Sequence, residues 1–361
     1  MGRLDRPAAG TAAQTGAAPA IDLRSDVLSP PTAAMFEAMT SATIGWHLRS
    51  EDPSVDRLER TAAGMLDTEA ALFLPNATTA NLLAIHLQAQ PGSAVLLDAI
   101  AHVNVVEWHA LSSGGLLPRT IASDRGHLDP RDVAAAFEST DYGRAPRIEL
   151  LVLENTHTFA GGVVIPPAET AELAAIAQAR GAAVHLDGAR LWNAAVALGV
   201  PASSLTAGVD TIAVSLSKGL CAPYGGLLAG RAELVSRARD LAFRIGFGRI
   251  HKAGYLAAAG LVALETMVDR LADDHRRARR LGEAWARTDG LDVDLGTVQT
   301  NLVTARVDDR FGGAEAIAAR IGGEGVGLMA MPGGILRAVV HRGIDDDAIE
   351  AAIRIVAAAL A

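Results

Sequence analysis

From Ile21 onward the sequence alternates between short apolar runs and longer alanine-rich stretches with helical periodicity. That alternation constrains the fold more than any other feature of the chain. A short apolar run bounded by turn residues suits a strand buried on both faces. A helix between successive strands returns the chain to run parallel to itself. The pattern predicts strands over Ala70–Leu74, Ala94–Leu97, Ile148–Leu153, Ala183–Leu186, Thr211–Ser215 and Gly226–Ala229. Helices are expected over Thr78–Ala89, Val103–Leu111 and Ala168–Arg180, the last closed by Gly181 as its C-cap. The fold class is therefore α/β, a mostly parallel sheet sandwiched by helices, with a smaller α+β C-terminal domain.

The expected organisation is a large domain over residues 21–254, a connecting helix over 255–290 and a small domain over 291–361. The connecting helix is read over Tyr255–Arg287. The small domain has strands near Asn301–Val307 and Leu336–Val340 and helices near Ala314–Ile321 and Asp345–Leu360. Residues 1–20 are rich in Ala, Gly, Thr and Pro and lack the apolar stretch of a secretory signal, so they are read as a disordered tail.

Composition removes several function classes. A net charge of -9 argues against nucleic acid as a partner, because phosphates are neutralised by clustered Lys and Arg. The one such cluster, Arg276–Arg280, follows Asp273 and Asp274 on a predicted helix and reads as a solvated face. No apolar run approaches the roughly 20 residues of a membrane helix. Cys221 is the single cysteine, which excludes an intrachain disulfide and fits a reducing compartment; a cytoplasmic enzyme is expected. No metal ligands are assigned.

In open α/β sheets, ligands bind beyond the carboxyl ends of the strands. Three predicted strand ends carry unusual chemistry. Val184–Leu186 runs into Asp187-Gly188-Ala189-Arg190, Ile212–Leu216 into Ser217-Lys218-Gly219, and Phe73-Leu74 through Pro75-Asn76-Ala77-Thr78 into a helix start. Singly, each has an ordinary reading: a solvated lysine, an N-cap aspartate, a capped turn. Together they match the needs of pyridoxal 5'-phosphate. That cofactor takes a lysine amine as a Schiff base, an acid beside its pyridine nitrogen, and a helix N-terminus for its phosphate.

These stretches also carry a family resemblance. With Asp22–Asp26, Glu51–Val55, Ala101-His102, Leu153–His157 and Arg337 within Leu336–His341, the chain resembles the low-specificity threonine aldolase branch of the aromatic amino acid β-eliminating lyase/threonine aldolase family. The likeness runs over about residues 21–361 and implies a fold-type I enzyme assembled as a homodimer or homotetramer. It implies that Lys218 holds the cofactor, Asp187 pairs with the pyridine nitrogen and His102 stacks on the ring. Ala77, Thr78 and Ser217 would serve the phosphate. Ser25, Arg190 and Arg337 would bind the substrate carboxylate, and Arg190 would also reach the cofactor's phenolate oxygen. The implied substrate is a small amino acid. His157 and His341 are read as structural, and His185 as a support behind Asp187.

Departures from the family pattern lie mainly around the substrate side chain, with others at the phosphate end. Ala77 stands where glycine is usual, Trp46–Arg49 replaces a stretch with a tyrosine and an acid, and Phe247–His251 replaces a glycine-rich stretch ending in arginine. Arg144 stands where a histidine handles the substrate hydroxyl. Arg49 and Arg144 would favour an acidic or polar substrate if they face the pocket; as surface arginines they would favour nothing. The expected reaction is cleavage of a β-hydroxy-α-amino acid to glycine and an aldehyde, with His102 acting as base through a water. The alternatives are β-elimination, transaldol transfer, racemisation or transamination at the same site, or a non-catalytic cofactor-binding protein.

Overall fold

The computed structural model describes residues 19–47, 51–138 and 145–361. Most of the expected tail, Arg49 and Arg144 lie outside these residues. Seven strands form the central sheet: β2 (Ala70–Leu74), β3 (Ala94–Asp98), β4 (Leu117–Ile121), β5 (Ile148–Glu154), β6 (Ala183–Gly188), β7 (Thr211–Ser215) and β8 (Gly226–Gly230). Their order is β2-β8-β7-β6-β5-β3-β4. The pairs from β7 to β4 are parallel, whereas β8 is antiparallel to both neighbours. Most side chains of β3, β5, β6, β7 and β8 are buried on both faces, so their runs are continuously apolar rather than alternating. Each large aliphatic side chain so buried contributes about 1.5–3 kcal/mol.

All six anticipated strands form. β4 was not anticipated: it is an exposed edge strand, and its Pro118 cannot serve a central ladder. Helix Pro167–Gln178 ends as expected, with Gly181 at φ +73° and Ala182 N–H donating to the Ala177 carbonyl. Val103–Leu111 is not one helix but two short ones, His102–Val105 and His109–Ser112, with Glu107 turned inward between them. The expected helix over Tyr255–Arg287 is also two, Ala253–Thr266 and Leu271–Trp285.

The C-terminal sheet has the order β12-β13-β10-β9, from β9 (Leu291–Asp292), β10 (Leu302–Val307), β12 (Met329–Met331) and β13 (Ile335–Val339). A separate two-stranded pairing joins β1 (Ile21–Asp22) in parallel to β11 (Val326–Gly327). Leu23 is fully buried among Leu281, Trp285, Val326 and Leu336. Residues 21–23 therefore pack with the C-terminal unit.

His275, on helix Leu271–Trp285, lies 3.2 Å from the Asn193 amide of helix Leu191–Leu198. Burial, then the Arg270 charge, depresses its pKa to about 4. The unfolded chain takes up this proton below about pH 6.5, and the folded chain does not. Stability from this site is thus full above pH 6.5 and lost as pH falls towards 4. His275→Gln should flatten that part of a melting-temperature profile of the cofactor-free protein; an unchanged slope would show that His275 does not set it.

Candidate active site

The parallel register brings the chemistry together. Asp187 on β6 stands beside Glu154 on β5 and Ala213 on β7, and β7 leads directly to Ser217 and Lys218. Lys218 is half-buried. Burial, then the Arg190 charge, lowers its pKa, against the opposing pull of Asp26, Asp187 and Glu107. A lowered pKa makes the amine a better nucleophile.

The Asp187 carboxylate is buried and accepts from Asn81 Nδ2 at 3.1 Å and from Ala189 N–H at 3.1 Å. Burial first, then the neighbouring Glu154 and Glu107 charges, push its pKa up to about 6. Such an acid gains from a cationic partner, as a pyridinium nitrogen would be.

Helix Ala77–Gln88 follows β2, and its N-cap Asn76 accepts from Thr79 N–H at 2.8 Å. Ala77 begins the helix and is not among the residues with positive φ, so its methyl is accommodated where glycine is usual. A Cβ on Gly226 would stand 2.6 Å from Ala77 N, so only glycine lets β8 start against this turn. The Thr78 hydroxyl, expected at the phosphate, donates to Glu107 Oε1 at 2.6 Å. Its hydroxyl proton is thus committed, while its backbone N–H belongs to the first helical turn.

Glu107 escaped the sequence reading. Within Val-Val-Glu-Trp it looks like the solvent side of a helix, and only the break between the two short helices turns it inward. It accepts from Thr78 and Asn81 and lies 3.4 Å from His102 Nε2. Burial raises its pKa, but these donors, His102 first, outweigh burial and hold it at about 2. His102 is shifted upward: burial opposes this, and Glu107, Asp187 and Glu154 prevail. Its backbone N–H donates to Glu154 Oε2 at 2.7 Å, and Nδ1 has no partner among the described residues.

Arg190 meets a partner that was also missed. Its Nε and Nη2 donate to the two oxygens of buried Asp26 at 2.8 Å each, and Nη1 donates to Thr158 at 3.2 Å. This leaves one hydrogen on each terminal nitrogen for a ligand. Burial would raise the Asp26 pKa, but the Arg190 charge and hydrogen bonds hold it at about 2. Ser25 sits immediately before Asp26 and accepts from Val27 N–H at 3.3 Å, capping the short helix Asp26–Leu28.

Arg337 is buried on β13. Its Nη2 donates to the Arg24 carbonyl at 3.3 Å and contacts Met329 sulfur at 3.1 Å, and Nε has no partner. Burial, then the Arg190 charge, lowers its pKa, which places both arginines in one region. His157 lies 2.9 Å from Asp98, behind Glu154, and His341 reaches the Asp22 carbonyl at 3.0 Å. Phe247, Arg249 and His251 are exposed, with Arg249 held 4.6 Å over the Phe243 ring rather than in this cluster.

The residues fit pyridoxal 5'-phosphate: a lysine of lowered pKa, an acid whose pKa is raised by burial and by neighbouring carboxylates, a helix start, and two buried nitrogens, His102 Nδ1 and Arg337 Nε, without partners among the described residues. The fold and this cluster define a fold-type I pyridoxal 5'-phosphate enzyme. The β-eliminating lyase family matches residues 22–308, and the chain belongs to that family. It is 35% identical to low specificity L-threonine aldolase of Escherichia coli (strain K12), over 89% of this chain and 93% of that one. A probable low-specificity L-threonine aldolase 2 of Arabidopsis thaliana is also 35% identical, over 91% and 94%. The structure of Leishmania major threonine aldolase superposes with a TM-score of 0.80 at 16% identity, covering 94% of this chain and 100% of that one. The Sphingomonas wittichii serine palmitoyltransferase superposes at 0.73 and 19% identity, over 94% and 86%. The two structural likenesses carry the fold alone.

Proposed function

We propose that this protein cleaves a β-hydroxy-α-amino acid of the threonine or phenylserine type to glycine and an aldehyde. The observation that carries the reading is Arg337, a buried guanidinium with an unpartnered Nε beside Arg190. A buried cation without an anion costs several kcal/mol, and a substrate carboxylate would offset that cost. The curated relatives named above support the substrate class. When bound, pyridoxal 5'-phosphate supplies a protonated ring that accepts the electrons of a bond broken at the substrate's Cα.

The chain's own residues do the selecting. Lys218 would hold the cofactor by its amine. Asp187 would pair with the ring nitrogen and favour its protonated form. Ala77, Thr78 and Ser217 line the phosphate end. Ser25, Arg190 and Arg337 hold the carboxylate and so fix which bond to Cα stands ready to break. His102 Nδ1 takes the β-hydroxyl proton, directly or through a water, while Glu107 holds the opposite ring edge and strengthens the base.

Purified protein loaded with cofactor should release glycine and aldehyde from threonine, allo-threonine or phenylserine; absence of glycine from all three would overturn the reading. Arg337→Lys should raise KM about 10-fold or more, the scale of a lost charge-assisted hydrogen bond, and should also lower kcat, because the carboxylate is no longer held in one orientation. The family's description as β-eliminating lyases favours elimination as the second reading. Ammonia and a keto acid in place of glycine would support it.

Two further features support an assembled, cytoplasmic enzyme. Ile100, Val105, Val106 and Trp108 are exposed in the segment that carries His102, as an interface between subunits requires. A lone buried Cys221 suits a reducing compartment. No helix among the described residues is long and apolar enough to cross a membrane.

A further inference from the structure

A line of buried polar side chains runs behind the site, and the two acids at one end set the direction of its hydrogen bonds as far as His185. Asn81 Nδ2 lies 2.9 Å from Glu107 Oε2 and 3.1 Å from Asp187 Oδ2. Ionised carboxylates only accept, so the amide NH2 must face both acids, one hydrogen to each. The Asn81 oxygen then faces His185 Nε2 at 3.0 Å and must accept from it. That places the ring proton on Nε2. Burial depresses the His185 pKa to about 4, so the imidazole carries no second proton at neutral pH. Nδ1 is then an acceptor: it takes the Thr211 hydroxyl at 2.8 Å, while the Thr211 carbonyl 3.1 Å away gains no hydrogen from it. The Thr211 oxygen accepts in turn from Gln88 Nε2 at 2.6 Å. The line joins helix Ala77–Gln88 to β6 and β7.

We propose that Asn81 and His185 are positioning residues, which clamp the acid of the cofactor nitrogen, Asp187, to the acid that holds His102, Glu107, through a neutral imidazole of fixed tautomer. The inference rests on the reading that Asp187 meets the cofactor nitrogen. Among the described residues Asn81 is the one donor that touches both carboxylates. Without it, two buried acids have no hydrogen between them, and their spacing is no longer set. His185 acts through Asn81. It stops the Asn81 amide from rotating its oxygen towards the acids, and the Thr211 hydroxyl, held by Gln88, supports the Nε2–H tautomer against the Thr211 carbonyl.

The clamp separates from a general packing role by which substitutions rescue it. Gln places its amide N–H close to the imidazole Nε2–H, so His185→Gln keeps a donor to Asn81, whereas His185→Phe fills the space and donates nothing. In full-length protein, His185→Phe and Asn81→Leu should weaken pyridoxal 5'-phosphate binding and lower kcat, each by about 10-fold or more, with KM little changed. Asn81→Asp, which adds a third acid and removes the donor, should be worse than Asn81→Leu. His185→Gln should return both quantities to within about threefold of the parent, the spread expected of such contributions. Nitrogen-15 NMR of the cofactor-free parent, with the signal assigned by its loss in His185→Gln, should show a neutral ring protonated at Nε2. This spectrum also serves if Asn81→Leu does not fold. A ring protonated at Nδ1, or His185→Phe indistinguishable from the parent beside an impaired Asp187→Asn, would overturn the clamp alone. Asp187→Asn binding cofactor like the parent would overturn the placement of the cofactor, and the clamp with it.

Discussion

Lys218→Ala is expected to lower the rate of glycine release by at least about a thousandfold, the scale seen when a covalent catalyst is removed while its surroundings remain. The fold itself should survive, because among the described residues the Lys218 side chain makes no hydrogen bond or ion pair, its carbonyl keeps the bond from Cys221 N–H in the variant, and β7 ends before it. Its neighbours explain the size of the effect. Burial and Arg190 lower the amine's affinity for a proton, while Asp26, Asp187 and Glu107 keep the region from becoming net positive. An exposed lysine elsewhere on the chain would have neither the position nor the shifted amine. Borohydride reduction of the loaded parent should fix the cofactor to the peptide carrying Lys218, and reduction of the variant should fix none. A variant that keeps its cofactor covalently attached, or turns over within tenfold of the parent, would exclude Lys218 from the role.

Asp26→Ala should be the most destabilising single change near the site. Asp26 is fully buried, accepts two hydrogen bonds from Arg190 and lies 3.3 Å from the Asn301 amide. Its removal strands a buried guanidinium, and breaking such a pair costs about 3–5 kcal/mol. Chemical denaturation of the cofactor-free protein measures the loss; a change under about 1 kcal/mol would show that Arg190 finds another anion or water. The sign with pH follows from the depressed pKa. The pair's contribution is present above about pH 4 and lost as pH falls towards 2. Asp187 acts in the opposite sense and in a higher window: its raised pKa favours the folded state as pH falls from about 6 towards 4, before the Asp26 loss begins.

The strands were legible because both faces of the central sheet are covered, so burial writes itself into the sequence as unbroken apolar runs. The edge strand β4 lacks that signature, since its side chains are mostly exposed. The division between helices Ala253–Thr266 and Leu271–Trp285 has no glycine or proline to announce it; Met-Val-Asp-Arg joins them, and tertiary packing decides the break. At the site, Lys218, Asp187 and Arg190 could be read from strand ends and motif. Glu107 could not, because its inward turn depends on a helix break that periodicity does not encode. Asp26 stood in a recognised motif beside Ser25, but only the fold shows that it pairs with Arg190. Asn81 and His185 were visible as a helix residue and a strand residue; their joint geometry was not.

The pairing of β1 with β11 has a consequence for how the enzyme is made. Ile21 and Asp22 leave the ribosome long before their strand partners, Val326 and Gly327. Asp26 lies close after β1, so the segment that neutralises Arg190 lacks this anchor until Val326 has been translated. The sheet with Lys218 and Asp187 can close earlier. Nascent chains halted before Val326 should therefore carry a formed sheet with an uncovered arginine, and the finished pocket appears only once β11 has emerged.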